Sequence, residues 1–134
     1  MEQSEIRYLN TDLIIESPND LSPIVESFGE EVIVLFNGKW GKVNRAIFEV
    51  EISLHASANE TIETFCSLIE GLNESERKIW DACFSRIFDI GYESGLTTQS
   101  FSSHINQDTI KRLAAIGAGI EITIYPPIPE NKKR

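Results

Sequence analysis

Residues 106–125 restrict the possible folds more than any other part of the chain. Asn106 is a favoured helix N-cap residue, and Gly117 is placed to end the helix in a left-handed turn. Apolar residues recur at helical spacing between them: Ile110, Leu113 and Ala114. Isoleucines at positions 120, 122 and 124 then alternate with other residues, which is typical of a strand buried on one face. A helix that ends on glycine and returns as an alternating strand predicts an α+β fold.

Four further strands and three further helices are predicted upstream. The strands cover residues 6–16, 31–36, 45–55 and 86–93, and the helices begin at Ser22, Asn59 and Asn73. The order β-α-β-β-α(α)-β-α-β predicts a two-layer sandwich of about five mainly antiparallel strands with helices on one face. We expect residues 1–125 to form this single domain. Residues 126–134, rich in proline and ending in basic residues, are expected to be a flexible tail.

The strand and loop patterns also predict which residues are buried. The continuous apolar run at residues 31–36 predicts a strand buried on both faces. Asn37 and Gly38 form a hairpin signal, although the residues that follow favour a longer loop that contains Trp40. In the strand at 45–55, Phe48 and every second residue after it should face the core, with Glu49 and Glu51 on the opposite face. Further apolar residues are expected to hold helices and loops against the core: Trp80, Cys83, Phe84, Leu96, Phe101 and Ile105.

The composition favours one cytoplasmic domain. At 134 residues and 41% hydrophobic content, the chain is long enough to bury a core. It has no run of about 18 apolar residues, and its acidic N-terminus is unlike a secretory signal, so neither a membrane span nor export is expected. Cys66 and Cys83 lie in apolar helical patterns, which favours two buried thiols in a reducing compartment over a disulfide.

The charge of the chain is negative and unevenly distributed along the sequence. The net charge is −9, and the first half, residues 1–67, carries 12 acidic against 4 basic residues. Within residues 1–31 only Arg7 opposes eight carboxylates. Such a surface disfavours nucleic acid and anionic lipid and favours a basic protein partner. Plain solubility of an acidic cytoplasmic protein is the alternative explanation.

Several segments together resemble one bacterial protein family. They are Asp20–Pro23 after the first strand, Leu68–Leu72 at a helix end, Phe101-Ser102, the helix Thr109–Gly117 and the strand Ile120–Tyr125. In these features, across most of residues 9–125, the chain resembles the bacterial family called domain of unknown function 4279. The chain departs from the family pattern at residues 36–45, where Trp40 lies before the long strand. The resemblance carries no catalytic residues, and it implies an immunity or accessory protein encoded beside a bacterial toxin.

The sequence contains no arrangement of residues typical of catalysis, metal binding or cofactor binding. His55 and His104 have no ligand-like neighbours, and the two cysteines lack zinc-site spacing. The glycines form neither a phosphate loop nor a dinucleotide fingerprint. Glu49 and Glu51 lie about 7 Å apart along one strand face, near the separation of the general acid and general base in an inverting glycosidase. Any alternating strand with two glutamates gives this spacing, however, so the pair is not evidence of catalysis. We therefore expect no catalytic residues, no metal and no cofactor.

Two classes of function remain after these exclusions. The first is a non-enzymatic protein-binding domain, an immunity-type protein that neutralises a toxin by covering its basic active site with carboxylates. Its candidate partner-binding residues are Asp20, Glu26, Glu30, Glu31, Trp40, Glu49 and Glu51. Trp40 is included because tryptophan is enriched at binding hot spots, although it could instead cover one end of the core. The second is a small-molecule-binding protein or enzyme with a pocket between sheet and helices. The chain is expected to be a monomer or a homodimer, the latter joined through an exposed sheet face or edge.

Overall fold

The protein is an α+β domain whose five strands form one mixed sheet, as the sequence predicts. The structure, a computed structural model, describes residues 5–51, 56–96 and 99–127. The strands are β1 (Arg7–Ser17), β2 (Ile33–Trp40), β3 (Val43–Glu49), β4 (Ser85–Glu93) and β5 (Gly119–Tyr125). The helices are α1 (Ser22–Phe28), followed by a 3-10 turn (Gly29–Glu31), α2 (Ala58–Glu70), α3 (Glu74–Asp81) and α4 (Gln107–Ala115).

The order of the strands in the sheet is β2-β3-β1-β4-β5. The first strand of the chain is therefore the central one, and it pairs antiparallel with both β3 and β4. β2 and β3 form an antiparallel hairpin, whereas β5 lies parallel to β4 after the crossover through α4. Leu13 illustrates the register, since it is paired with Phe48 on one side and with Phe88 on the other.

The hydrophobic core lies between the helices and one face of the sheet. On β1, Leu13 and Ile15 are fully buried, while the residues between and beside them that point the other way are only half-buried. Aromatic contacts join the two layers, because Phe28 of α1 packs on Phe48 and Phe65 of α2 packs on Phe88, at ring-centroid distances of 5.2 Å and 5.5 Å. Burial of such side chains contributes about 2–3 kcal/mol each to the free energy of folding. The helices consequently occupy this face.

Two predictions about cysteine and tryptophan are confirmed. Cys66 and Cys83 are free and buried, and no disulfide joins them. Trp80 is fully buried, and its indole N–H donates a hydrogen bond of 2.9 Å to the carbonyl of Ile116. This bond satisfies the polar atom of a large core side chain, which would otherwise cost about 1–3 kcal/mol.

The predicted N-terminal cap of α3 is confirmed, and the predicted cap of α1 is wrong. Asn73 and Glu76 form the predicted capping box of α3, and Ser57 and Glu60 form another at α2, two residues before the predicted start. Ser22 does not cap α1, which has no side-chain cap. The Ser22 backbone N–H instead donates to a carboxylate oxygen of Asp20 at 3.0 Å, so an aspartate turn leads into the helix.

The predictions for β2 and its turn are wrong. β2 is an edge strand, and Ile33, Val34 and Leu35 are exposed instead of buried on both faces. The strand continues through Asn37 and Gly38 to Trp40, which pairs with Val43. A tight two-residue turn at Gly41 and Lys42 therefore replaces the predicted longer loop. Gly41 allows this turn because it adopts a φ of 68°.

Apolar side chains are also exposed at the other end of the sheet. The sequence predicts burial of Ile120, Ile122 and Ile124 on one face, yet they are 39%, 61% and 64% exposed. β5 is the second edge strand, and no further strand of the described residues lies beside it. Three more predicted anchors are likewise exposed: Phe84, Leu96 and Phe101. The alternating pattern therefore identifies the strand but not its position in the sheet.

Some predicted features lie partly outside the described residues. β3 ends at Glu49, and the remainder of the strand predicted at 45–55 includes residues 52–55, which are not described. Phe48 and Val50 face the core as expected. His55 and the tail beyond Pro127 also lie outside the described residues.

Gly117 offers a test of the helix-to-strand turn. It has a φ of 74°, and a Cβ atom there would lie 2.8 Å from the guanidinium of Arg86, which donates to the Gly117 carbonyl. We expect Gly117→Ala to lower the free energy of unfolding by about 1–3 kcal/mol, measured by urea denaturation. Gly38→Ala is the control, since its Cβ would have only ordinary contacts, with Phe36 at 3.7 Å. Equal effects of the two substitutions would contradict this explanation.

Candidate functional site

None of the described helices packs on one face of the sheet. Residues of β1 that alternate with Leu13 and Ile15 point to this face, and they are half-buried only by their neighbours in the sheet. The described helices lie on the opposite face, where α2 contacts β1, α1 contacts α3 and α4 contacts α2. We call the uncovered side, within the described residues, the open face. It is a continuous surface to which every strand of the sheet contributes.

A row of carboxylates crosses the open face perpendicular to the strands. Asp12 of β1 is paired with Asp89 of β4, which is paired in turn with Glu121 of β5. Glu49 of β3 continues the row, because Asn10 donates hydrogen bonds to both Asp12 and Glu49. None of the ion pairs found among the described residues involves these four carboxylates, which we call the acidic row.

The pKa of Asp12, one of the two inner members of the acidic row, is raised. Partial burial raises the pKa of Asp12 from 3.8 to about 6, and the charges of Glu49 and Asp89 contribute to this rise. Like charges placed directly opposite one another on a sheet are destabilising. The fold therefore keeps a concentration of negative charge that no lysine or arginine of the described residues neutralises in an ion pair.

A row of apolar side chains runs beside the acidic row, two residues away from it along β3, β1 and β4. Phe36 pairs with Ile47, which is followed across the sheet by Ile14 and Ile87. All four side chains are half-buried and point to the open face. We call them the apolar row. The open face thus carries a hydrophobic stripe with a parallel acidic stripe beside it.

Trp40 and Arg45 lie at the hairpin end of the open face. The Trp40 indole is 57% exposed, and it packs edge-on against Phe36 at a centroid distance of 5.9 Å. The Arg45 guanidinium lies 4.8 Å from the centre of the indole ring, a cation–π contact. Its Nε atom is 3.4 Å from a carboxylate oxygen of Glu16, an ion pair whose geometry gives no hydrogen bond. Trp40 therefore lies on the surface and does not cover the core.

A cleft of about 790 Å³ opens at the acidic end of this face. Asn10, Asp12 and Glu49 line it, together with Glu51 and Tyr125. The cleft also includes Glu93, which is buried and receives a 2.8 Å hydrogen bond from Arg7. The remaining lining residues are Leu9, Ile33, Val50 and Pro126. The carboxylates therefore border a broad, open depression.

The structure divides the predicted partner-binding residues between two sides of the domain. Glu49 and Glu51 lie at the acidic end of the open face, and Trp40 lies at its hairpin end. The distance between Trp40 and Glu49 is about 20 Å by strand rise, so they can contact one partner only if it is large. The other four residues are exposed and lie just before, within or just after α1, on the helix side: Asp20, Glu26, Glu30 and Glu31.

Several residues of the open face are not found by sequence reasoning. Asp89 and Glu121 belong to the less acidic second half of the chain, yet they complete the acidic row. The available signal is the polar position that alternates with apolar ones in each strand. That signal gives the face of each side chain, but the row depends on cross-strand register, which the sequence does not specify.

Both cysteines are buried thiols, and the described histidine is exposed. Burial raises the pKa of the Cys66 and Cys83 thiols to about 11 each, so both stay protonated near neutral pH. His104 is exposed in the segment before α4. Among residues 5–51, 56–96 and 99–127, no three His, Cys, Asp or Glu side chains come together in a way suited to a metal ion.

A smaller apolar groove lies on the helix side, between β5 and residues 101–105. It measures about 340 Å³ and is lined mainly by isoleucines of β4, β5 and the neighbouring loop. The hydroxyl groups of Tyr92 and Ser103, which also line it, hydrogen-bond to one another at 2.6 Å. The groove could accept an apolar group, but it lacks the convergent polar groups that a catalytic pocket requires.

Comparison with known proteins gives no family for this chain. No model of a known protein family matches it. No curated protein and no solved structure matches it either. The resemblance to the domain of unknown function 4279 family therefore stays a prediction. None of the helices in the described residues has the length and hydropathy needed to cross a bilayer.

The raised pKa of Asp12 gives a prediction about stability. Because the folded protein holds the Asp12 proton more tightly than the unfolded chain, the contribution of Asp12 to stability should fall as pH rises from about 4 to about 6. Asp12→Asn should therefore stabilise the fold at pH 8, by about 1 kcal/mol because the group is half exposed to solvent. The gain should shrink toward zero near pH 4, as measured by urea unfolding at both values.

Glu26→Gln is the matched control for Asp12→Asn. It removes one negative charge from the exposed surface of α1, away from the acidic row. We expect its effect at pH 8 to be below about 0.5 kcal/mol. If the two variants behaved alike at both pH values, the partial burial of Asp12 and the carboxylates around it would not be the cause.

Proposed function

We propose that this chain is a non-enzymatic protein-binding domain that uses its open face to hold a basic partner. The observation that carries the proposal is the pairing of the apolar row with the acidic row on a sheet face that no described helix covers. Apolar stripes of this kind mark interaction surfaces, and the neighbouring carboxylates select positive charge. The net charge of −9 adds long-range attraction for such a partner.

The acidic row and the apolar row limit which partner shapes fit the open face. Both run perpendicular to the strands across β3, β1 and β4, over about 10 Å between the outer two strands. A segment lying across the strands could place apolar side chains on Ile14, Ile47 and Ile87. Lysines or arginines along one edge of the same segment would then meet Asp12 and Asp89. An amphipathic segment with one basic edge therefore fits this surface.

Trp40 and Arg45 would extend the contact at one end. Tryptophan and arginine are enriched at binding hot spots, and here they are already stacked in the free protein. A side chain fixed before binding loses less conformational entropy when the partner arrives. The corner of Phe36, Trp40 and Arg45 thus offers a preorganised anchor. Its Arg45 lies about 13 Å along β3 from Glu49.

The most specific form of the proposal is an immunity-type protein that neutralises a bacterial toxin. Carboxylates arranged in a row can occupy a basic active site that otherwise binds phosphate groups, and electrostatic attraction raises the rate of association. The family resemblance noted for residues 9–125 supports the same class. The free, buried cysteines support a reducing, cytoplasmic location for this activity.

The alternative of a small-molecule-binding protein or enzyme has weaker support. It requires a pocket between sheet and helices with clustered polar groups. The groove between β5 and residues 101–105 is mainly apolar, and the hydroxyl groups of Tyr92 and Ser103 in it are hydrogen-bonded to one another. A larger depression of about 1040 Å³, beside the start of α2, has polar side chains in its lining, but Asp12 is not among them. The carboxylate with a raised pKa, Asp12, lies instead in the wide cleft on the open face.

The proposal is tested with the protein encoded by the adjacent open reading frame as the candidate binding partner. The variant Glu49→Gln/Asp89→Asn/Glu121→Gln removes three charges from the acidic row and leaves Asp12 with fewer like-charged neighbours. We expect it to weaken binding at least about tenfold in isothermal titration calorimetry, and to reduce the dependence of affinity on salt.

The matched control removes three charges from the helix side, in Asp20→Asn/Glu26→Gln/Glu31→Gln. Its net charge equals that of the open-face variant, and the Asp20→Asn change keeps a side-chain oxygen that can accept from the Ser22 N–H. We expect less than about a twofold loss of affinity. A larger loss in this control than in the open-face variant would assign the interface to the α1 side and overturn the proposed site.

Trp40 provides an independent readout of the same complex. Its indole is exposed whereas that of Trp80 is buried and hydrogen-bonded, so a partner docking on the open face should shift Trp40 fluorescence to shorter wavelength. The shift should disappear in Trp40→Phe. Binding without any change in Trp40 emission would place the partner away from the hairpin end.

A further inference from the structure

Among the described residues no strand lies beside the outer edge of β5, so in that part of the chain its side chains and backbone groups are available for pairing. The strand is seven residues long and has no proline, lysine or bulge within it, and its one charged residue is Glu121. β2, the other edge, has two of these features, because its register shifts between Val34 and Phe36 and it carries Lys39. β5 is therefore the less protected edge of this sheet.

The orientation of the β5 backbone follows from one hydrogen bond. The carbonyl of Tyr125 accepts from the Ser94 N–H at 2.7 Å, so it points toward β4. Peptide groups alternate in direction along a strand, so the groups of Glu121 and Thr123 also point toward β4. The N–H and C=O groups of Ile120, Ile122 and Ile124 consequently point away from the sheet. The same three isoleucines carry the exposed side chains.

The geometry points to a second copy of this chain as the occupant of the β5 edge. Two β5 strands related by a two-fold axis pair antiparallel, with Ile122 opposite Ile122 of the second copy and Ile120 opposite Ile124. The outward-pointing N–H and C=O groups of the three isoleucines in each copy are then all hydrogen-bonded, which gives about six backbone hydrogen bonds. The isoleucine side chains form one continuous stripe across the junction, and the two sheets become a single sheet.

This register is favoured over both of its neighbours by the sequence. A shift by one pair in one direction places Glu121 directly opposite Glu121 of the second copy, two like charges at the closest approach. The opposite shift places Pro126 opposite Ile120, and proline has no N–H to donate. In the favoured register Glu121 faces Thr123, so no charge opposes its own copy.

The size of the contact indicates a reversible dimer. A strand of seven residues is about 23 Å long, and pairing two such edges buries on the order of 1,000 Å² in total, at the lower limit for specific interfaces. Each copy carries a net charge of −9, so electrostatic repulsion opposes association. The dimer should therefore have a micromolar dissociation constant and should become tighter as salt is added. The open face remains accessible in it.

Sedimentation velocity tests the dimer over concentrations from about 1 to about 200 μM. We expect a concentration-dependent shift from monomer to dimer in the unmodified protein. Ile122→Lys places two lysines opposite one another on the two-fold axis, and it should weaken dimerisation at least about tenfold. Ile33→Lys is the matched control, because it makes the same change at an exposed isoleucine on the β2 edge and should leave the dimer intact. Unchanged thermal unfolding shows that both variants are folded.

Cysteine cross-linking tests the register itself. Paired residues of this type have Cα atoms about 5.5 Å apart, within the range for a disulfide, so oxidised Ile122→Cys should yield a covalent dimer on a non-reducing gel. The native cysteines are buried, and Ile33→Cys controls for random collisions. A monomer at every concentration, a dimer unaffected by Ile122→Lys, or equal cross-linking of both cysteine variants would overturn the proposal. Because this dimer should be strengthened by salt and the proposed partner complex weakened by it, failure of one is distinguishable from failure of the other.

Discussion

The packing of a single layer of helices against one face of the sheet determines the remaining features of this structure. Leu13 and Ile15 of the central strand are completely buried by that layer, together with Phe48 and Phe88 of the neighbouring strands. Because side chains alternate across a strand, every buried residue on these strands requires a neighbour that points the other way. Covering one face thus creates the open face as a direct consequence.

The composition of the open face is more specific than contact with water requires. A sheet surface in water needs polar residues, but like charges placed opposite one another on neighbouring strands lower the stability of the fold. Here Asp12 and Asp89 face one another directly, and partial burial, together with the charges of Glu49 and Asp89, raises the pKa of Asp12 to about 6. Beside them lies a row of four apolar side chains that could have been polar without loss to the core. A basic, partly apolar partner bound to this surface would explain both the facing carboxylates and the apolar row.

The two proposed contacts use different physical features of the same sheet. The partner complex depends on side chains of the open face and on opposite charge, whereas the dimer depends on the backbone edge of β5 and on isoleucines of the helix side. The two surfaces do not overlap at Ile122, since its side chain points away from the acidic row. A dimer would therefore present two open faces on one continuous sheet. Such an arrangement would increase the avidity for a partner that is itself a dimer.

Only the tertiary structure decided which strands are edges and which acidic residues meet, whereas the sequence by itself determined the local elements. The capping of α3 by Asn73, the buried stripe of α2 and the glycine turn at Gly117 are readable from spacing and residue type, because they depend on residues close together in the chain. The α+β class follows from them. The apolar runs of β2 and β5 resemble buried strands, yet both are edges, since hydrophobic pattern does not encode neighbours in a sheet.

The acidic residues show the same division between sequence and structure. The acidic first half of the chain predicts one surface, but folding places Glu26 and Glu49 on opposite sides of the domain. It brings Asp12 together with Asp89 and Glu121, which lie in the second half of the chain. Cross-strand register joins residues that are distant in sequence, and only the folded chain fixes that register.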